Sequence, residues 1–172
     1  NRVVARKSYG KNFSHGKEII SSLESLFNEA KWEPGDIDLI AVSTGPGSYT
    51  GLRVGVTCAK TLAYGLGKPV IDVPTLDVLV ENVEDNGAKT ICPVLDAKRK
   101  SVYACIYERS GNESRKSTDF LIISAGDLIK ILPESTLIFG DGIAPYRDIF
   151  TQKNLTIVED EKLCIADAAD VA

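Results

Sequence analysis

"STGPGSYTGLRVG", residues 43–55, sets Gly45, Pro46, Gly47 and Gly51 between an apolar run and a segment of helical period. Glycine-rich turns at a strand-to-helix junction are where proteins cradle phosphates. The stretch therefore poses a choice between a nucleotide loop and a hinge. A phosphate loop of the GxxxxGK[ST] kind needs a lysine to reach the terminal phosphates, but Gly51 is followed by Leu52 and Arg53. A GxGxxG fingerprint fits at Gly45 and Gly47 and fails at Thr50, which stands in the third glycine's place. Two readings remain. Either the glycines only let the chain turn sharply and the next helix pack close, or the amides of Gly45, Gly47, Ser48, Thr50 and Gly51 contact a phosphate.

The helix that follows, expected from about Gly51 to Leu66 and stopped by Gly67 and Pro69, has two faces. Leu52, Gly55, Val56, Ala59, Leu62, Ala63 and Leu66 form one, suited to covering a sheet. Val54, Cys58, Thr61 and Gly65 form a second stripe of small residues. The combined arc is wider than a surface helix usually buries. Small side chains at such spacing let helix backbones approach closely. The stripe fits packing on a neighbouring helix of the same chain, or a docking seam for another subunit.

Outward from this centre, "RVVARKSY" (2–9) reads as a strand. Ser14 is placed to cap a helix from His15 to Ala30, whose Ile19, Ile20, Leu23, Leu26, Phe27 and Ala30 share one face. "DIDLIAVST" (36–44) reads as a buried strand, "PVIDV" as another, and "TLDVLVENV" as a short helix capped by Thr75. Strands alternating with helices imply a parallel sheet covered by helices, an α/β fold. The texture changes at Asn86–Lys89, which divides the chain into lobes of residues 1–88 and 89–172. In the second lobe, "TICPVLDA" and "SVYACIYE" flank a polar "KRK" turn as a hairpin. "STDFLIIS" reads as a further strand. Ser124 with Asp127 resembles a capping box opening "GDLIKIL". A strand "TLIFG", a "DG" turn and a helix near Pro145–Phe150 follow.

The 172 residues are 44% hydrophobic and 26% charged, enough for a packed core, and the net charge is −4. An acidic chain is a poor polyanion binder by itself. The four cysteines (Cys58, Cys92, Cys105, Cys164) are scattered and the one histidine is His15, which excludes most zinc arrangements. The cysteines read as reduced core residues of a cytoplasmic protein. No run is long enough to span a membrane, and no metal or cofactor is expected. The missing initial methionine and the closing "ADAADVA" imply that residues are absent at both ends. Catalytic constellations are poor: His15 stands alone, and Ser43, Ser48 and Thr50 lack an evident base. Asp96 suits either a turn or a ligand, and Asp141 a turn. Lys98, Arg99 and Lys100 form the single basic cluster, read as a solvated hairpin tip.

"VSTGPGSYTGLRVGVTCAKTLAYGLGKPV" (42–70) with "VLDAKRKSVYACIY" (94–107) resembles the TsaB (YeaZ) family, the non-catalytic dimerisation subunits of bacterial tRNA N6-threonylcarbamoyladenosine synthesis. "SHGKEIISSLESLF" fits that family's histidine-led first helix and "GDGIAPY" its Gly-Asp-Gly turn. The resemblance covers most of the chain in order. It implies the two-lobed fold of actin, Hsp70 and sugar kinases (the ASKHA fold). It also implies a scaffold that pairs with the catalytic paralogue TsaD through first-lobe helices, works with the ATPase TsaE and tRNA, and self-pairs when alone. On this chain the interface would fall on Ser22 and Ser25 of the first helix and Val54, Cys58, Thr61 and Gly65 of the second. The paralogue's two-histidine metal motif has no counterpart here. Two departures stand out. The family's N-terminal β-hairpin with its Asp-Thr-Ser turn is absent, and Gly16, Lys17 and Ser21 replace its usual serine, glutamate and proline. The alternative function is an ATP-binding ATPase or phosphotransferase of the same fold.

Overall fold

The computed structural model describes residues 3–8, 18–84, 87–111, 113–166 and 168–171, with the side chains of 161, 169 and 170 left aside. The chain divides into two compact units, Asn1–Val73 with Val171–Ala172, and Pro74–Asp170.

In the first unit, helix α1 (Ile19–Ala30) ends on Lys31 in the left-handed region, and a 3-10 turn (Pro34–Asp36) leads to strand β1 (Ile40–Ser43). Helix α2 (Tyr49–Leu66) follows and closes on Gly67 at φ 63°, whose N–H returns to Ala63 and Tyr64 carbonyls. Strand β2 (Val70–Val73) lies parallel to β1, with Ile40 opposite Val70. This is the expected parallel pair, and α2 packs on both strands. Two expectations are corrected. Residues 3–8 form no strand, because β-propensity is realised only in a ladder, and Val3 and Val4 stay half exposed. β1 is shorter than 36–44 and only half-buried, since Asp36 is taken up by the 3-10 turn. Ser14 and His15 lie outside the described residues.

The second unit opens with helix α3 (Thr75–Glu81), entered from Pro74, so that Thr75 is its first residue rather than its cap. Strand β3 (Thr90–Lys98) is the spine of a mixed sheet. On one side it pairs with β4 (Ser101–Ala104) and β5 (Tyr107–Ser110), both antiparallel; on the other it pairs with β8 (Leu137–Phe139), parallel. β4 and β5 share one register against β3, with Val94 opposite Ala104 and Ile91 opposite Tyr107. The ladder is broken between them beside Pro93, which has no N–H to donate. The outer partners are β6 (Glu113–Lys116) on β5 and β7 (Leu121–Ser124) on β4, and beyond β8 lies β9 (Thr156–Val158). The KRK hairpin is thus present. The single strand expected for 101–108 is two pieces, and β6 and β9 carried no clear sequence signal.

Period-2 alternation assigns the two faces. Cys92, Val94, Val102, Ala104, Ile106 and Ile138 pack with Leu128 and Leu132 around helix α4 (Ala125–Ile131), and with Phe150 of helix α5 (Arg147–Phe150). Ile91, Cys105, Tyr107, Leu137 and Phe139 pack with Leu76, Leu79, Val80 and Val83 of and beyond α3. Fully burying one such large side chain is worth about 1.5–3 kcal/mol, so α3 is anchored to the second sheet. The break between units therefore precedes α3 instead of falling at residue 88. The expected cap is present on α4, where Ser124 Oγ accepts the Asp127 amide at 3.1 Å. A short helix α6 (Ala168–Val171) closes the described chain.

Candidate partner-docking site

The glycine loop comes first because it delivers α2. Gly45 sits at φ +110°, where an L side chain is strained, and a Cβ there would come within 3.0 Å of Leu52 Cδ1. Ser48 caps the helix: its Oγ accepts the Gly51 amide at 3.3 Å and its carbonyl accepts the Leu52 amide at 2.8 Å. Thr44 N–H donates to the Val73 carbonyl at 3.1 Å, tying the loop entrance to β2. The loop turns the chain from strand to helix, and Ser48 takes up the amides of Gly51 and Leu52 as an N-cap does. Thr50 belongs to the first turn of the helix, which begins two residues before the expected Gly51.

Ala59 and Ala63 are buried, as the sheet-facing assignment requires. Gly55 was expected on that face too, but a Cβ there would meet nothing within 4 Å, so no close packing holds it as glycine. The second stripe opens on a groove. Val54, Cys58 and Thr61 line it together with Ile19 and Ile20 of α1 and with Tyr49, Thr50, Arg53, Thr57 and Leu62 of α2, around a volume of about 560 Å³. Tyr49 is 73% exposed at the start of α2, with the Arg53 guanidinium 5.5 Å from its ring centroid. Ile20 is 53% exposed. Partial burial pushes the Cys58 thiol above its usual value, keeping it protonated and apolar in character. Thr61 Oγ1 donates to the Thr57 carbonyl at 2.8 Å, which leaves its methyl as the outward chemistry.

Not every expected interface residue lies there. Ser22 is buried, with its hydroxyl donating to the Glu18 carbonyl, and Ser25 is half-buried; neither lines the groove. Gly65 is exposed on α2 beyond it, with open space around the position of a Cβ. The lining residues that the sequence does not single out for the interface are Ile19, Ile20, Tyr49, Arg53, Thr57 and Leu62, with Thr50 expected only as part of the glycine loop. Ile19 and Ile20 show in the sequence only as members of the apolar face of α1, and a large aromatic beside a glycine loop is the signal that points to Tyr49.

In the second unit, Lys98, Arg99 and Lys100 close the β3–β4 hairpin with φ of 63°, 51° and 66°. Left-handed backbone costs an L-residue roughly 1–2 kcal/mol. Lys98 is not a free cation, since its Nζ lies 2.6 Å from Asp96 Oδ2. That contact and the hydrogen bonds from Lys98 hold the Asp96 carboxyl below its usual value. Asp141, in the turn at Gly140–Gly142, accepts the Asp96 amide at 3.0 Å and so ties that turn to β3. Among the described residues no group of three or more His, Cys, Asp or Glu could hold a metal, and no helix is long and apolar enough to cross a membrane.

A family model described as "TsaD: tRNA N6-adenosine threonylcarbamoyltransferase" matches residues 12–154. The TsaB protein of Bacillus subtilis is 40% identical over 95 residues, covering 55% of this chain and 41% of that protein. The chain belongs to the TsaB (YeaZ) family, with a domain of the TsaD type. TsaB of Haemophilus influenzae is 29% identical over 153 residues, covering 83% of this chain and 64% of its own. The matches to the TsaB proteins of Bacillus subtilis and Escherichia coli span 41% and 43% of those relatives' length. A solved structure from Pseudomonas aeruginosa, an uncharacterized protein with similarity to peptidase YEAZ, superposes with a TM-score of 0.77. The match covers 91% of this chain and 73% of that one at 22% identity, and it establishes the two-lobed α/β fold expected of the family.

Proposed function

We propose that this chain is a non-catalytic scaffold of tRNA N6-threonylcarbamoyladenosine synthesis that docks a TsaD-family catalytic partner in the groove between α1 and α2. The groove carries the reading: it is apolar, wide enough for inserted side chains, and rimmed by the exposed Tyr49 and Ile20. Interfaces are enriched in tyrosine and arginine around an apolar centre, and Tyr49 with Arg53 supplies that pair. The relatives' name, tRNA threonylcarbamoyladenosine biosynthesis protein TsaB, gives the pathway. The scaffold role is supported by a glycine loop that caps its own helix and carries no lysine. In this role the chain works in the cytoplasm, reaches tRNA through the assembly, meets an ATPase of the TsaE kind there, and pairs with itself when the partner is absent.

The test is co-purification of the full chain with its host's TsaD-family paralogue, and activity of each alone and together. Threonylcarbamoyl transfer only in the joint sample is the expected result. Transfer or sustained ATP hydrolysis by this chain alone would overturn the scaffold role, and a failure to co-purify would overturn the pairing.

A further inference from the structure

A hairpin turn with both central residues left-handed is built for pairs such as Asn-Gly, which reach positive φ at little steric cost. At the β3–β4 turn those two places are held by Arg99 and Lys100, and Lys98 before them is left-handed as well. Packing does not call for long cations there, because all three are exposed. The turn is braced from beneath. Asp96 accepts the Lys98 amide at 2.8 Å and pairs with Lys98 Nζ. Asp141 accepts the Asp96 amide, and the Gly142 amide donates to the Val94 carbonyl at 3.0 Å. Gly140 and Gly142 let the loop that carries Asp141 lie directly on β3, where a Cβ would fall 2.2 Å from Val94 O and 2.8 Å from Leu95 C. Both carboxylates are engaged inside the brace, and Arg99 and Lys100 stand at its end on a chain of net charge −4. Residues that break a local rule without serving the fold mark working positions.

We propose that this tip is a phosphate-contacting finger: Arg99 and Lys100 engage the sugar-phosphate backbone of a structured RNA, with Lys98 as a positioning residue locked to Asp96. The inference rests on the proposed function in taking that RNA to be tRNA. An acidic surface repels a polyanion within a Debye length, so contact is confined to a projecting cationic point. Phosphate contacts fix register without reading sequence, so the finger orients the RNA and does not select it.

The experiment measures fluorescence anisotropy of a tRNA transcript with the full chain, and with its assembly with the TsaD-family partner, across a salt series. Arg99→Gln with Lys100→Gln is expected to weaken binding and to lower the log–log salt slope by about two, one for each contact. Lys89→Gln, an exposed lysine before β3, is expected to leave the slope in place. An unchanged slope in the tip variant, or an equal fall with Lys89→Gln, overturns the finger. A second variant, Arg99→Asn with Lys100→Gly, installs the residues the turn prefers and is expected to raise Tm while weakening RNA binding. A lowered Tm would show that the cations serve the turn itself and would overturn the proposal. If co-purification fails, the pairing reading is lost, while the finger is still decided by the full chain alone with the same transcript.

Discussion

In the second unit Leu76, Ile91, Val94, Leu128, Ile138, Phe139 and Phe150 expose 0% of their surface, whereas the most buried described positions of the first are Ala59 and Ala63 at 7% and Ser22 at 8%. Both units are built from similar apolar residues, so composition does not explain the contrast. Coverage does. The second sheet is clothed on one face by α3 and on the other by α4 and α5. The described part of the first has two strands, β1 and β2, and two helices, α1 and α2, and on α2 only Ala59 and Ala63 are buried. Val70 and Ile71 of β2 remain 37% and 42% exposed. Apolar burial is the main stabilising term, so the second unit is expected to be the more stable, and the first the one that would gain more from the proposed partner. A ligand that binds only the folded form stabilises it by mass action.

The contrast can be broken by hydrogen exchange. Amides of β3 and β8 are expected to exchange only through global opening, and those of β1 and β2 through cheaper local opening. Equal protection would show that the exposed residues mislead. The largest mutational effect belongs to the second unit: Phe139→Ala should cost about 3–5 kcal/mol, read by urea denaturation. A loss below ~1 kcal/mol, the size of one buried methylene, would mean the core is looser than its burial. Next is Tyr107→Phe. The Tyr107 hydroxyl donates to Asp77 Oδ1 at 2.6 Å and Lys116 holds Oδ2 at 2.7 Å, clamping α3 to the β5–β6 hairpin. Hydrogen bonds to charged groups are worth about 1.5–3 kcal/mol, and the low end is expected because Lys116 still neutralises the carboxylate.

In the first unit the prediction is about association. Cys58→Trp fills the groove, and overpacking of about 1–3 kcal/mol corresponds to a roughly 5- to 150-fold loss of affinity. Ala59→Trp, one residue along and buried, should instead unfold the unit. Sedimentation and melting of both variants separate the cases, and a Cys58→Trp chain that melts early yet still associates would return the stripe to ordinary core. The smallest effect concerns Asp96. Its folded pKa is lowered, so the stabilisation it gives is complete above the unfolded value near 3.8 and is lost as pH falls through the folded one. Asp96→Asn should abolish that part of the acid sensitivity, and identical acid melting curves for the two proteins would assign it to other groups.

Much of this was legible because local signals agreed. The Lys98–Lys100 turn lies between two apolar alternations, Ser124 precedes its helix at cap spacing, and Gly67 stops α2. The family was legible from the glycine loop and the "VLDAKRK" stretch together. The unit boundary was not, because a composition change at Asn86–Lys89 says nothing about which sheet Leu76 and Leu79 will pack against. The groove was half legible. The α2 stripe showed as spacing, but the periodicity of α1 only puts Ile19 and Ile20 on its apolar face, and the fold is needed to show that they border the groove. Ser22 failed for the opposite reason, since a hydroxyl on a helix can return to a carbonyl one turn back and become interior.

Pro93 has a further consequence for how the chain finds its alignment. A two-residue turn normally dictates strand registry, but the Arg99–Lys100 turn is a poor dictator. A slip of one place along β3 would send Cys92 and Val94 to the α3 side and Ile91 to the other. It would also bring the amide-less position against a different carbonyl of the neighbouring strand. Registry of this hairpin therefore rests on the alternation along β3, which seats Cys92 and Val94 against α4 and Ile91 against α3.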